Sequence, residues 1–172
     1  MKIRAAKIED DADLAKVQIE SYRTAYAHIF PKEYLDHFTH EEQTQDWRDL
    51  ISANQTDVLL VAVIADEVIG YALGHALPKE VEGFDSELMS LHVRHSYHRQ
   101  NVGRGLVCEI AEELKRQGCA SLMLWVLEEN SLARGFYEHL GGVQFGKKEA
   151  EFGEHIKLFE VGYGWKEIAD LI

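Results

Sequence analysis

Two hydrophobic periods divide the chain. Residues 57–65 are apolar and rich in β-branched side chains, the pattern of a buried strand. Asp66–Glu67 supplies a turn, and VIGYALGHAL returns as the hairpin partner. Gly70 and Gly74 in that partner imply close packing or a bulge. Ser86–Val93 and Ser121–Leu127 have the same short, apolar character. A helical period then appears. Leu106, Val107, Ile110, Ala111 and Leu114 fall on one stripe, with Glu109, Glu112, Glu113, Lys115 and Arg116 opposite and Gly118 as terminator. NSLARGFYEHLGG forms a second helix, ended by Gly141 and Gly142.

The N-terminal third alternates differently. A strand over Lys2–Lys7 leads to Asp10 or Asp11, either of which caps a helix carrying Leu14, Val17, Ser21 and Tyr22. Pro31 opens a short helix. Thr39 and Glu42 stand at capping-box spacing before a helix that places Trp47, Leu50 and Ile51 on one face. Two further strands, 143–151 and 155–165, close the chain. This order predicts an α/β fold of the α+β type: a single domain, 1–172, with a mixed, mostly antiparallel central sheet of about six to seven strands flanked by helices.

Composition narrows the function. The 172 residues are 46% hydrophobic and 28% charged, enough for one sizeable core. The longest apolar run, Val58 to Ala65, is too short to span a bilayer, and MKIRAAKIEDD lacks the apolar core of a signal peptide. No membrane partner and a cytoplasmic location are expected. Cys108 and Cys119 lack metal-ligand spacing and are expected as reduced thiols. A net charge of −12 argues against nucleic acid, whose affinity rests on phosphate neutralisation, and tolerates a cationic partner.

The charge is uneven. From Leu88 to Cys108 there is no Asp or Glu, while Arg94, Arg99 and Arg104 stand there with His92, His95 and His98. This basic island contains YHRQNVGRGLVCEI, a loop running into a helix. A helix N-terminus offers backbone N–H groups without intrahelical acceptors and about half a positive charge, so it holds a diphosphate by backbone shape. Gly103 and Gly105 permit close approach, and Arg99 and Arg104 add charge. Asn101 stands where such loops often have glycine; asparagine is well able to take the positive φ required. The third glycine of a dinucleotide fingerprint and the Gly-Lys-Ser/Thr of a Walker loop are both missing. Histidines at intervals of three on an extended segment face opposite ways, so no metal site is expected.

SELMSLHVRHSYHRQNVGRGLV, followed by SLMLWVLEENSLARGFYEHLGG, resembles the two core motifs of the GNAT superfamily of acetyl-CoA-dependent N-acetyltransferases. Leu91 and Val93 match the strand end, and Asn130, Ala133, Phe136 and Tyr137 match its Asn-x-x-Ala-x-x-Phe-Tyr helix. The loop fits in two registers. One reads Gln100-x-x-Gly103-x-Gly105. The other, preferred because it keeps the strand-to-loop distance, reads His98-Arg99-Gln100-Asn101-Val102-Gly103, with Arg104, Gly105 and Leu106 opening the helix. The resemblance implies acetyl-CoA as acetyl donor, bound by Leu91, His92, Val93, His98, Arg99, Gln100, Asn101, Val102, Gly103, Arg104, Asn130, Ala133 and Tyr137. It also implies direct acetyl transfer to a primary amine of a small molecule, polyamine-like or otherwise, or of a peptide, and a homodimer in which an apolar terminal strand takes part. The alternative is a non-catalytic acyl-CoA-binding sensor.

Acetyl transfer needs a neutral amine, a donor for the oxyanion and a proton for the leaving thiolate. Tyr137 is the candidate acid. Glu87 is the candidate base; His92, with the better intrinsic pKa, or water alone are the other choices. The resemblance assigns the acceptor wall to the N-terminal helices, where Tyr22, Tyr26, His28, Phe30, Glu33, Tyr34 and Asp36 combine aromatic rings with carboxylates suited to an alkylammonium.

Overall fold

A computed structural model describes residues 1–53, 57–153 and 155–172. The described strands are β1 (Lys2–Ala5), β2 (Val58–Ile64), β3 (Glu67–Val81), β4 (Phe84–Val93), β5 (Leu122–Leu127), β6 (Val143–Phe152) and β7 (Ile156–Trp165). The helices are α1 (Asp11–Ala25), α2 (Lys32–Asp36), α3 (His40–Ser52), α4 (Val102–Arg116) and α5 (Ser131–His139). The strands make one seven-stranded sheet in the order β1-β2-β3-β4-β5-β7-β6. Every neighbouring pair is antiparallel except β4–β5.

The helices cover both faces. On one, the α4 stripe is fully buried: Leu106, Val107, Ile110, Ala111 and Leu114 are all at 0% exposure, packed with Leu88, Leu122, Leu124 and Tyr163. Burying such a Leu, Ile or Val side chain contributes roughly 1.5–3 kcal/mol. On the other face, Leu14 and Val17 of α1 and Trp47 of α3 pack against Val61, Val68 and Tyr71.

Several boundaries differ from the pattern. The first hairpin turns at Ala65–Asp66, both at positive φ (48° and 65°), one residue before the expected Asp66–Glu67. β3 continues through Pro78 to Val81; proline is tolerated because the ladder to β4 is irregular between Ala76 and Val81. Asp10 and Asp11 do not cap α1 through their side chains in the expected way. Asp10 accepts from both terminal nitrogens of the Arg4 guanidinium (2.6 and 2.9 Å) and, turning back, from the Lys7 N–H (2.7 Å); Asp11 accepts from Arg48 Nε (2.7 Å) and from the N–H of its own neighbour Ala12 (2.6 Å).

The last strand is also not at an edge. β7 lies between β5 and β6, with Val161, Gly162, Tyr163, Gly164 and Trp165 buried. The edge falls to β6, which carries Lys147, Lys148, Glu149 and Glu151. Charged side chains on an edge strand oppose strand addition, so the terminal-strand dimer contact expected from the resemblance has no apolar edge here.

The sheet is joined across its middle at one end only. β4 and β5 share a single bridge pair, Glu87 with Met123. Beside it, the Asp85 carboxylate accepts from the N–H groups of Ala120 (2.8 Å) and Ser121 (2.9 Å) and from Ser121 Oγ (2.8 Å), while Ser86 Oγ donates to the Ser121 carbonyl (2.5 Å). Beyond this staple the strands part. β4 is bulged at Met89, since Leu88 pairs with Gly74 and Ser90 with Leu73.

Candidate active site

The parting of β4 and β5 opens a cavity of about 770 Å³, lined by Leu88–Val93 of β4, Leu124–Leu127 of β5, the loop and first turn of α4, and α5. At its mouth, Asn101 is the N-cap of α4 and adopts the left-handed conformation (φ 62°, ψ 12°), as the sequence required of it. Arg99 is left-handed too (φ 58°), which the sequence did not signal. With the chain folded this way, α4 begins at Val102, two residues before the expected Arg104. The N–H groups of Val102, Gly103 and Arg104 therefore have no intrahelical acceptor.

The first turns of α1 and α3 carry acids, Asp11 and Asp13, and Glu41 and Glu42; that of α4 carries none. Its positive pole is left uncompensated at the cavity, with Arg99 and Arg104 on the lining. This arrangement fits a diphosphate. Gly103 lies against Phe136, whose ring is 3.3 Å from where a Cβ would stand. Gly105 packs instead against Ile3, 3.0 Å from the equivalent point, so it serves helix-to-sheet packing and not the loop.

Twelve of the expected ligand-binding residues line this cavity: Leu91, His92, Val93, His98, Arg99, Asn101, Val102, Gly103, Arg104, Asn130, Ala133 and Tyr137. Gln100 does not; its side-chain amide turns back to donate to the Ser96 carbonyl (3.0 Å). His98 fixes the loop to the strand end through Nε2 and the Val93 carbonyl (2.9 Å). The Asn130–Ala133 spacing has a local cause: Asn130 caps α5, its Oδ1 accepting from the Ala133 N–H (3.2 Å). Arg94 leaves the basic island. It is held by Glu67 and by Glu20 (3.0 Å) and is absent from the lining.

Tyr137 is buried on the cavity wall, and burial, with Tyr26 adding to it, pushes its phenol well above the ordinary range. It stays protonated. Glu87 is a correction to the expected site. The bulge at Met89 turns it to the face of His92, but it borders neither cavity and lies 3.7 Å from His75 Nε2. His92 sits between Tyr22 and Tyr71, 5.3 Å from each ring centre. Burial lowers its pKa to about 4, so it is neutral at physiological pH. The His95 and His98 rings stand 5.0 Å apart, whereas His92 is packed between the two tyrosines.

A second cavity of about 230 Å³ opens on the α1 face and shares Tyr26, Met89, Ser90, His92, Trp125 and Leu127 with the first. Tyr22, Phe30 and Tyr34 line it as expected of the N-terminal helices. His28, Glu33 and Asp36 do not; Asp36 is paired with Lys32. Among the described residues, the carboxylate that does line it is Glu160 of β7, which sequence reasoning missed because no local pattern marks it. Burial pushes the nearby Tyr26 phenol up to about 12, helped by Tyr22 and Glu160. Among the described residues, no helix is long and apolar enough to cross a membrane.

The sequence pattern of the acetyltransferase (GNAT) family matches residues 19–142. The uncharacterized N-acetyltransferase YuaI of Bacillus subtilis (strain 168) is 32% identical over 169 residues, spanning 98% of this chain and 95% of that protein. The spermidine N(1)-acetyltransferase of Thermoplasma acidophilum is 26% identical over 141 residues, 80% of this chain and 84% of that one. In fold, the chain matches the crystal structure of the PaiA N-acetyltransferase of Thermoplasma acidophilum in complex with coenzyme A. The TM-score is 0.69 and the identity 22%, over 93% of this chain and 96% of that one. With its motif helices on the wall of a cleft between parallel strands, and a relative matched along nearly its whole length, the chain belongs to the acetyltransferase (GNAT) family.

Proposed function

We propose that the protein transfers the acetyl group of acetyl-CoA to a primary amine of a small, cationic, polyamine-like acceptor by direct attack. The observation that carries this reading is the meeting of two cavities of opposite character at Ser90, His92 and Trp125. One ends on the positive pole of α4; the other is aromatic and contains a carboxylate. A module that only sensed acyl-CoA would have no use for the second.

Acetyl-CoA supplies the acetyl group as a thioester; the amine nitrogen forms the new C–N bond as the C–S bond breaks. The uncompensated N–H groups of Val102, Gly103 and Arg104 hold the diphosphate, and Arg99 and Arg104 add charge. The bulge at Met89 leaves β4 backbone groups outside the ladder, beside the place where the oxyanion develops. Tyr137 donates a hydrogen bond to the leaving sulfur. The amine loses its first proton to water and attacks as the neutral base. The raised pKa of Tyr137 makes outright proton loss uphill, so the phenol acts best as a relay, giving its proton to the leaving sulfur and regaining the second proton from the nitrogen of the tetrahedral intermediate. His92 is too weak a base to keep that proton, but as a neutral imidazole at the junction it accepts a hydrogen bond from the amine or a cavity water.

The Thermoplasma acidophilum spermidine N(1)-acetyltransferase, as a relative, supports a polyamine-like acceptor. The test is release of free thiol from acetyl-CoA across diamines, polyamines, amino acids, aminoglycosides and N-terminal peptides. Turnover is expected with the first two classes; no turnover with any amine overturns the reading.

A further inference from the structure

The acceptor cavity has a cation site of its own, and that site is already partnered. Among the described residues lining the cavity, Glu160 is the only carboxylate, and there is no lysine or arginine. Trp125 supplies an aromatic face beside it. On the edge strand, Lys148 is the register partner of Glu160. Its ammonium lies 3.4 Å from Glu160 Oε2 and 4.1 Å from the centre of the Trp125 ring. A carboxylate and an indole face sharing one ammonium are the two elements that bind an alkylammonium ligand.

The two partners differ in mobility. The Glu160 side chain is 19% exposed and held in the interior strand β7; the Lys148 side chain is 46% exposed on the edge. The lysine can swing into solvent while the carboxylate stays. Glu160 lines the second cavity and not the first, so it stands apart from Tyr137. That separation matters chemically. A carboxylate beside the attacking nitrogen would favour its protonated, unreactive form. Placed away from the sulfur, it serves a nitrogen that does not react.

We infer that Glu160 and Trp125 form a subsite for a second, non-reacting ammonium of the acceptor, and that Lys148 is a tethered competitor for this subsite. The inference rests on reading the aromatic cavity as the acceptor site. Lys148 sets a threshold: an acceptor gains from the subsite only if its distal cation outcompetes the lysine, and a monoamine gains nothing. Lys148 is thus a specificity-determining residue that never meets the reacting atoms.

The experiment uses the full chain, with Lys148→Met and Glu160→Gln, singly and together. 1,5-Diaminopentane and 1-aminopentane, which differ only in the second ammonium, are compared by calorimetry in the presence of coenzyme A and by steady-state thiol release. Lys148→Met is expected to tighten diamine binding about fivefold relative to the monoamine, about seven-tenths of one tenfold step of affinity. Glu160→Gln is expected to weaken diamine binding about tenfold relative to the monoamine and to cancel the Lys148→Met gain in the double variant. An unchanged diamine-to-monoamine ratio in both single variants overturns the inference, as does an equal gain for both amines in Lys148→Met. The calorimetric ratio is independent of turnover. Selective binding without acetylation would therefore overturn the proposed reaction and leave the cation subsite standing, whereas acetylation without selectivity would do the reverse.

Discussion

The two cavities are built from different materials. The larger is a backbone site: a helix start, a left-handed Asn101, a bulged strand and a parted pair of strands. The smaller is a side-chain site, made of tyrosine, phenylalanine and tryptophan rings around Glu160. A backbone site tolerates exchange of side chains as long as the dihedral angles survive. A side-chain site changes its ligand with each substitution. On the proposed reading, the larger cavity is the part a family can share and the smaller is the part that would set this chain's acceptor.

Tyr137 stands where that contrast is sharpest, a side chain with a proposed chemical duty on the backbone-built wall. Tyr137→Phe is expected to lower kcat by about 10²-fold or more while changing coenzyme A affinity little. Equal turnover in the variant would remove the phenol from the reaction. Asn101 tests the backbone claim itself. Asn101→Val places a β-branched residue at φ 62° and is expected to cost roughly 1–2 kcal/mol, read as about tenfold weaker coenzyme A binding, whereas Asn101→Gly should bind as the parent does. If glycine fails as badly as valine, the Asn101 side chain itself binds the ligand.

His92 tests the other cavity. Its pKa is about 4 in the fold and about 6.5 in the unfolded chain, so between those values the unfolded state binds more proton. Its contribution to stability is complete above pH 6.5 and is lost as pH falls towards 4. Because the imidazole opens on a water-accessible cavity, a loss of roughly 1–3 kcal/mol is expected. Urea denaturation at pH 7.5 and 4.5 should show a smaller drop in His92→Gln than in the parent; equal drops would place the acid sensitivity elsewhere. The smallest effect is expected at Arg99, whose φ of 58° costs a long side chain more than it costs glycine or asparagine. Arg99→Gly should raise stability by about 0.5–1 kcal/mol, measured by denaturation, while weakening coenzyme A binding slightly and in a salt-dependent way.

The same contrast governs what the sequence disclosed. The α4 stripe, the β5 run and the left-handed Asn101 are each encoded within a few neighbouring residues and were legible; the Asn130–Ala133 spacing was seen through the resemblance, its capping bond was not. The other features that escaped depend on strand order. Hydrophobic alternation tells which face a residue takes but not which strand lies beside it. The insertion of β7 between β5 and β6 was invisible for that reason, and with it the meeting of Glu160 with Trp125 and Lys148. Arg94 looked like part of an anion site because its partners, Glu20 and Glu67, are distant in sequence. Glu87 was expected as the base, yet its position along β4 leaves it beside His75 and off both cavities.

The single bridge between β4 and β5 has a mechanical consequence. Two half-sheets, β1–β4 and β5–β7, are riveted at Asp85, Ser86 and Ser121 and face each other across the cleft with unpaired backbone edges. Between them lies a gap where a sheet would ordinarily carry its ladder. A molecule with amide groups along its length would pair with both edges as an added strand, and the domain holding it would be stiffer than the domain without it. Donor occupancy would then be felt across the whole sheet, in both halves at once.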